Sequence, residues 1–356
     1  MAGLDFSKLT PDNGAVRDLK QLIFLVVSGA DKLGTMFNFL PGQKNGNKVG
    51  FIGEFGMIGM KSGGCNPNYK QSILAASEKE WDIKEWEVAE EICYEDLEGT
   101  LAQIAMRTKT DIADLTGTEY IDDIISPRLE LAIMKMLMRL AWFGDKNAKN
   151  ISEGGILSEG VSKDFFTITD GFWKRFFSLV ASNPERRTAV AANEESTFQG
   201  QKSKLFEPGV ATGILDNLIT DAPMILRQAD NATIFITQSL KDALDRDIKT
   251  QNKGSELQWK ALFSGIKEAE YSGYPVKVVP FWDEMIQGCE KGDSTWNKPH
   301  RALFTTPSNL LVGSESKNEL ALIDIWFDKN SQMNRILAKD KLGTLIAQDD
   351  LLQVAY

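Results

Sequence analysis

The chain closes on Pro299-His-Arg-Ala-Leu-Phe-Thr-Thr-Pro-Ser-Asn-Leu-Leu-Val-Gly313, Leu320-Ala-Leu-Ile-Asp-Ile-Trp-Phe-Asp328, Ala338-Lys-Asp-Lys-Leu-Gly343 and Asp349-Asp-Leu-Leu-Gln-Val-Ala-Tyr356. Short apolar runs cut by Pro, Gly, Asn and Asp predict strands separated by turns. Their order is specific. A strand ends in Thr-Thr-Pro-x-Asn-Leu and meets a Gly turn; an Asp-x-Trp-Phe-Asp strand and a short basic run closed by Gly follow. His300, at the head of this stretch, is the single histidine of the sequence. A Ser-His-Asp or Cys-His mechanism would have to use it. Its neighbours Pro299 and Arg301 lead into a strand, so it reads as structural or solvent-facing.

Upstream, residues 160–285 alternate strands with helices. Tyr274-Pro-Val-Lys-Val-Val-Pro280 predicts a strand bounded by prolines, with a loop over 287–297. Ala232-Thr-Ile-Phe-Ile-Thr237 predicts a strand that runs directly into a helix, where Leu240, Leu244 and Ile248 recur four apart. Residues 171–181 and 212–226 predict helices, the second bent or ended near Pro223. The Gly/Asn/Ser-rich stretch 145–160 predicts a connection and a subdomain boundary.

The clearest helix covers 116–143. Thr116-Gly-Thr-Glu119 fits a capping box, and Ile121, Ile125, Leu129, Ile133, Met136, Leu137 and Leu140 recur at three and four. Pro127 either kinks this helix or, with Ser126 as its cap, starts a second segment. Gly144 suits a left-handed terminator. Residues 94–107 predict a further short helix.

Between residues 78 and 98 the chain carries ten carboxylates and only two lysines. Trp81 and Ile83, then Trp86 and Val88, are each spaced for one face of a strand, with a one-residue slip between the pairs. The acidic residues between them fit a solvated or partner-facing strand edge. Residues 34–68 are dense in Gly and Asn, which a compact core tolerates poorly and an extended hairpin tolerates well. Gly50, Gly53, Gly56 and Gly59 form neither a GxGxxG turn nor a P-loop. Residues 1–20 read as an arm. The longest aliphatic and aromatic run, Leu-Ile-Phe-Leu-Val-Val at 22–27, is far shorter than the roughly 20 residues of a membrane helix.

Hydrophobic residues at 42% and charged residues at 25% are ordinary globular values and exclude disordered classes. With 356 residues the chain is long enough for two subdomains. A net charge of −10 argues against a dedicated nucleic-acid binder. Cys65, Cys93 and Cys289 have neither CxxC nor Cys/His ligand spacing, so no metal site or cofactor is expected and reduced thiols are. Met-Ala-Gly-Leu-Asp-Phe at the start carries no secretory pattern, and the chain reads as soluble and made in a cytoplasm.

Taken in order, these motifs resemble the tailed-bacteriophage major capsid proteins of the Hong Kong 97 (HK97) type. The resemblance covers most of the chain and is strongest over 116–145 and 231–356. It implies an α+β, HK97-like capsid fold: arm 1–45, extended β loop 46–80, peripheral domain 81–164 with spine helix 116–143, α/β axial domain 165–298, and return strands 299–356 completing the peripheral domain. The function it implies is structural, not enzymatic. Copies would form pentameric and hexameric capsomers of an icosahedral virion head around double-stranded DNA, assembled in the host cytoplasm. The implied partners are a portal, a separate scaffolding protein, decoration proteins and DNA held non-specifically inside, with no membrane. No coiled-coil-like scaffolding prefix is read ahead of the arm, so scaffolding is expected either as a separate chain, which Met1 favours, or as a segment that this sequence lacks. The intersubunit contacts expected are Phe51, Ile52, Phe55, Met57 and Ile58 in the loop, with Trp81 and Trp86 at its base. The alternative is that these seven close the chain's own core. An encapsulin-type compartment in the same fold, or a two-domain cytoplasmic α/β enzyme, also stays open.

Overall fold

A computed structural model describes residues 36–52, 76–93, 126–251, 257–263, 266–315, 322–328 and 333–356. In chain order its strands are β1 Asn38–Pro41, β2 Lys48–Ile52, β3 Ala76–Glu80, β4 Lys84–Cys93, β5 Arg187–Thr188, β6 Thr233–Ile236, β7 Lys260–Phe263, β8 Ile266–Tyr271, β9 Tyr274–Val278, β10 Ala302–Thr305, β11 Leu310–Ser314, β12 Leu322–Asp328, β13 Met333–Ile346 and β14 Leu352–Ala355. The helices are α1 Ser126–Phe143, α2 Phe172–Ser182, α3 Phe198–Leu205, α4 Val210–Asp221, α5 Met224–Arg227, α6 Gln238–Gln251 and α7 Pro280–Cys289.

A seven-stranded sheet runs β5-β14-β10-β6-β9-β8-β7. Its central strands β14, β10 and β6 are buried along their whole length, as their near-continuous apolar sequences require. Alternation still sorts their side chains. Phe235, Leu303 and Val354 share one face and join the core of α1, α2 and α7, while Ile236, Ala302 and Ala355 share the other and join α4 and α6. In the first of these cores the Trp282 ring lies edge-on to Trp142 at 4.8 Å and to Trp173 at 4.9 Å. Each such large side chain contributes about 1.5–3 kcal/mol by leaving water.

The other large sheet runs β1-β11-β13-β12, with β4 along Met333–Leu342 of β13. β13 holds it together. Met333–Lys339 pairs with β12 and Met333–Leu342 with β4, and Gly343–Ile346 then crosses to β11. Helix α1 belongs to the first core through Leu129, Ile133, Met136, Leu137 and Leu140, the stripe that its period predicts. Ile336, Ala338 and Leu342 of β13 lie in the same core.

Several expectations change. The segment after Pro299 does not complete one sheet: β11, β12 and β13 join β1 and β4, but β10 and β14 pair with β6 and the α/β layer. Gly313 is not in a turn but inside β11. The described helix begins at Ser126, with Pro127 in a first turn that needs no N–H there; residues 116–125 lie outside the described residues, as do 22–27 and 94–107. Gly144 ends α1 without adopting a left-handed conformation. Close approach explains it instead: the Gly171 N–H donates to the Gly144 carbonyl at 2.8 Å, and a Cβ on Gly171 would lie 2.7 Å from the Gly144 nitrogen. Pro280, read as the end of a strand, also opens α7, where its missing N–H is harmless.

Candidate functional site

β2 and β3 form an antiparallel ribbon, Lys48 opposite Glu80 and Ile52 opposite Ala76, separate from both large sheets among the described residues. Its root is built with some care. The Trp81 N–H donates to the Asn47 carbonyl at 2.8 Å, the Gly46 N–H to the Trp81 carbonyl at 2.9 Å, and the Ile83 N–H to Asn45 Oδ1 at 3.1 Å. Trp81 and Ile83 are buried with Leu311, Leu345 and Ala347 in a small core of their own, against which Leu40 and Val49 pack. Two glycines make their seat. Gly313 and Gly343 face each other across β11 and β13; a Cβ on the first would lie 2.8 Å from the Trp81 ring, and one on the second 2.8 Å from the Asp82 carbonyl. Lys79 pairs with Asp349 at 2.5 Å and Lys146 with Asp82, tying the root to the rest of the chain.

The one-residue slip between Trp81/Ile83 and Trp86/Val88 now has a cause. Residues 81–83 separate β3 from β4, and the two pairs serve different cores. Trp81 and Trp86 are 1% and 2% exposed within a single chain, so neither offers surface to a neighbour, and the sequence expectation is corrected for both. Their physical role is to anchor the root from inside. Phe51 and Ile52 lie on β2, and Phe55, Met57 and Ile58 fall outside the described residues. The acidic character of β4 is answered across the strand pair: Glu87 meets Lys339 at 2.9 Å, and Glu91 meets Arg335 at 3.1 Å. These exposed pairs fix register more than they stabilise.

The polar groups that resemble catalytic machinery are used otherwise. His300 is buried, its Nε2 3.2 Å from the Gln201 carbonyl, which can only accept, so Nε2 carries the proton. Nδ1 then accepts from Ser239 Oγ at 2.9 Å. Burial lowers the imidazole to about 4, keeping it neutral, although the bond to Gln201 opposes that shift. Asp283 accepts the N–H groups of Gln238 at 2.5 Å and Ser239 at 3.0 Å and thereby caps the start of α6. Burial outweighs those bonds and raises its carboxyl to about 6. Arg301 is fully buried, paired with Glu290 and donating to the Lys298 carbonyl at 2.9 Å and the Asn297 carbonyl at 2.8 Å, with the Trp173 ring 4.9 Å away. Among the described residues no group of three or more His, Cys, Asp or Glu side chains is placed to hold a metal ion. Among them, too, no helix is long and apolar enough to cross a membrane.

Among the described residues the exposed large apolar side chains are Leu131 on α1, Ile156, Phe165, and Met224 with Ile225 on α5. Leu131, Met134 and Met138 stand at i, i+3 and i+7 on α1, running from the exposed Leu131 to Met138, which is buried in the core.

No protein-family model matches the sequence, and no curated protein does. Solved structures do match. A chain of the satellite phage P4 procapsid, in a structure that includes the size determination (Sid) protein, superposes with a TM-score of 0.52 at 12% identity, over 94% of this chain and 98% of that one. A chain of the capsid of the native GTA particle gives 0.51 at 10% identity, over 91% and 88%. One from Gordonia phage Cozz gives 0.50 at 15% identity, over 91% and 85%. The chain therefore has the HK97-like fold of these phage and GTA capsid structures, with mixed helices and sheets among the described residues.

Proposed function

We propose that this chain is a shell subunit: a structural, non-enzymatic major capsid protein whose copies associate into pentameric and hexameric capsomers of an icosahedral head around double-stranded DNA. The observation that carries this reading is the superposition on a procapsid chain over 94% of this chain and 98% of the other. The use of His300, Asp283 and Arg301 inside the structure supports the same reading. A subunit of this kind acts through repeated interfaces closed by symmetry.

In this reading 1–45 is an arm, 46–80 an extended loop and α1 the spine of a peripheral domain, with the axial domain formed by 165–298 together with β10 and β14. The loop residues Phe51, Ile52, Phe55, Met57 and Ile58 meet neighbouring subunits, while Trp81 and Trp86 hold the loop root from within. A portal, a separate scaffolding protein and decoration proteins complete the head, which resides in the virion after assembly in the host cytoplasm. Electron microscopy and light scattering of the purified full chain, with and without molecular crowding, test the proposal. Closed particles, or rings of five and six, are expected; a persistent monomer or dimer under every condition would overturn it.

A further inference from the structure

A pocket of about 590 Å³ opens between the end of α1, the 149–156 loop, α2 and the loop that follows α7. Phe143, Trp173 and Phe177 give it an aromatic lining, and Ile156 adds an exposed aliphatic side chain. The loop that carries Ile156 is firmly held. Asn150 Nδ2 donates to the Ser158 carbonyl at 2.8 Å and the Val161 carbonyl at 2.9 Å, and the Gly155 N–H donates to the Asn150 carbonyl at 2.9 Å. The charges of the pocket do not balance. Asp145 is engaged by Lys174 Nζ at 2.9 Å and by the Asn147 N–H at 2.9 Å. Glu290 is engaged by Arg301 and by Asn297 Nδ2 at 2.9 Å. Lys149 and Lys298 also line the pocket, and among the described residues neither ammonium pairs with a carboxylate. Lys298 Nζ lies instead 4.3 Å from the centre of the Phe177 ring and 4.2 Å from that of Tyr356. In a chain with 50 Asp and Glu against 40 Lys and Arg, composition does not account for a pocket with surplus positive charge.

We propose that this pocket binds an organic carboxylate borne on a flat apolar body, with Lys298 and Lys149 meeting the carboxylate and the aromatic side chains meeting the body. Half-buried ammonium groups attract an anion more strongly than exposed ones, because less water screens them. Arg301, fully buried against the Trp173 and Phe177 rings, adds positive potential without reaching the ligand. The rings favour a planar apolar partner, which they remove from water and stack upon. Two point-charge ammonium groups beside carbon-rich walls suit a monovalent anion with its own apolar body better than a bare, strongly hydrated phosphate. The volume lies in the range of about 300–1,000 Å³ usual for small-molecule sites. Protonation of Lys298 is coupled to binding. Burial, then the nearby Arg301 and Arg187, lower its ammonium to about 8 against the pull of Glu290, and a bound carboxylate opposes that shift. Binding therefore weakens as pH rises beyond about 8 and the ammonium loses its proton. The inference concerns a single chain and does not rest on the shell reading.

Ligand-observed saturation-transfer NMR on the full chain, with 3-phenylpropionate as the probe, tests the proposal on free subunits and on particles alike. Saturable binding with a Kd of about 1 mM at pH 7 is expected for a probe of this size. 3-Phenylpropionamide has the same body without the charge and should bind about tenfold more weakly. Lys298→Met keeps the apolar stem against the two rings and should weaken the acid by about the same factor, and Lys149→Ser by about two- to threefold. Circular dichroism verifies that both variants fold. Equal affinity for acid and amide would leave only an apolar crevice and overturn the proposal. Displacement by an equimolar amount of inorganic phosphate would leave only an unselective anion patch and overturn it too. So would the absence of saturation, or an unchanged affinity in folded Lys298→Met. Should Lys298→Met not fold, trace acetylation of the unmutated chain read by mass spectrometry decides: protection of Lys298 by the probe is expected, and its absence overturns the proposal. Particle formation is read separately, so failure to assemble counts against the shell reading alone.

Discussion

At the scale of single residues, burial has converted groups that look reactive into structural ones. Arg301 and Glu290 illustrate the energetics. Glu290→Gln leaves a buried guanidinium without its counter-charge and should destabilise the chain by about 3–5 kcal/mol in urea melts, whereas Glu290→Gln with Arg301→Met should recover much of that loss. His300 makes stability depend on pH. Its imidazole falls from an ordinary 6.5 to about 4 in the folded chain, so between those values the unfolded chain takes up a proton that the folded one refuses. The contribution is intact above about pH 6.5 and is lost as pH falls toward 4. Asp283, raised from 3.8 to about 6, has the opposite sign, binding a proton in the folded chain first and gaining stability as pH falls through 6. The two offset each other across pH 4 to 6. His300→Gln removes one side of that balance, so the stability lost between pH 7 and 4.5 should shrink by roughly 2–3 kcal/mol, measured by urea titration at both values.

At the scale of elements, the root of the β2–β3 ribbon separates two kinds of change. Replacing residues 53–75 by a short Gly-Ser turn keeps Gly46, Asn47, Trp81 and the glycine seat, so thermal unfolding should move little while assembly is lost. Gly313→Ala does the reverse. Its Cβ meets the Trp81 ring, and the overpacking should cost about 1–3 kcal/mol in a urea melt even before assembly is examined. Normal shells from the 53–75 replacement would show that the loop is dispensable. Much at this scale was legible in the sequence. The α1 stripe, the β6–α6 passage and β12 follow directly from periodicity. α7 was not, because Pro280 reads equally as the end of a strand and the start of a helix. β13 was not either, because Ala338–Gly343 reads as a short basic run closed by Gly and not as part of a 14-residue strand.

At the scale of the whole molecule, a net charge of −10 on every copy opposes close association. Raising salt from about 20 to 200 mM shortens the screening length from roughly 20 to 7 Å, so the concentration at which particles appear in light scattering should fall. A threshold that rises with salt would mean that attractive charge pairs dominate the interfaces. The loop residues expected at those interfaces are the least resolved part of the site from sequence alone. Apolar residues in a projecting ribbon and apolar residues in a core have the same composition. Trp81 and Trp86, read as contacts, proved to be core.

The sequence by itself determined the class of fold, through its resemblance to a known family, and particular elements such as the α1 stripe and the β6–α6 passage. Strand and helix periods and turn residues are local properties that need no partner to be read. Only the tertiary structure decided how the final strands divide, with β10 and β14 in one sheet and β11 to β13 in the other. It alone also showed why Gly313, Gly343, Gly144 and Gly171 are glycines. Each of those facts depends on which distant backbone or ring comes within van der Waals reach, and no local pattern of residues records that distance.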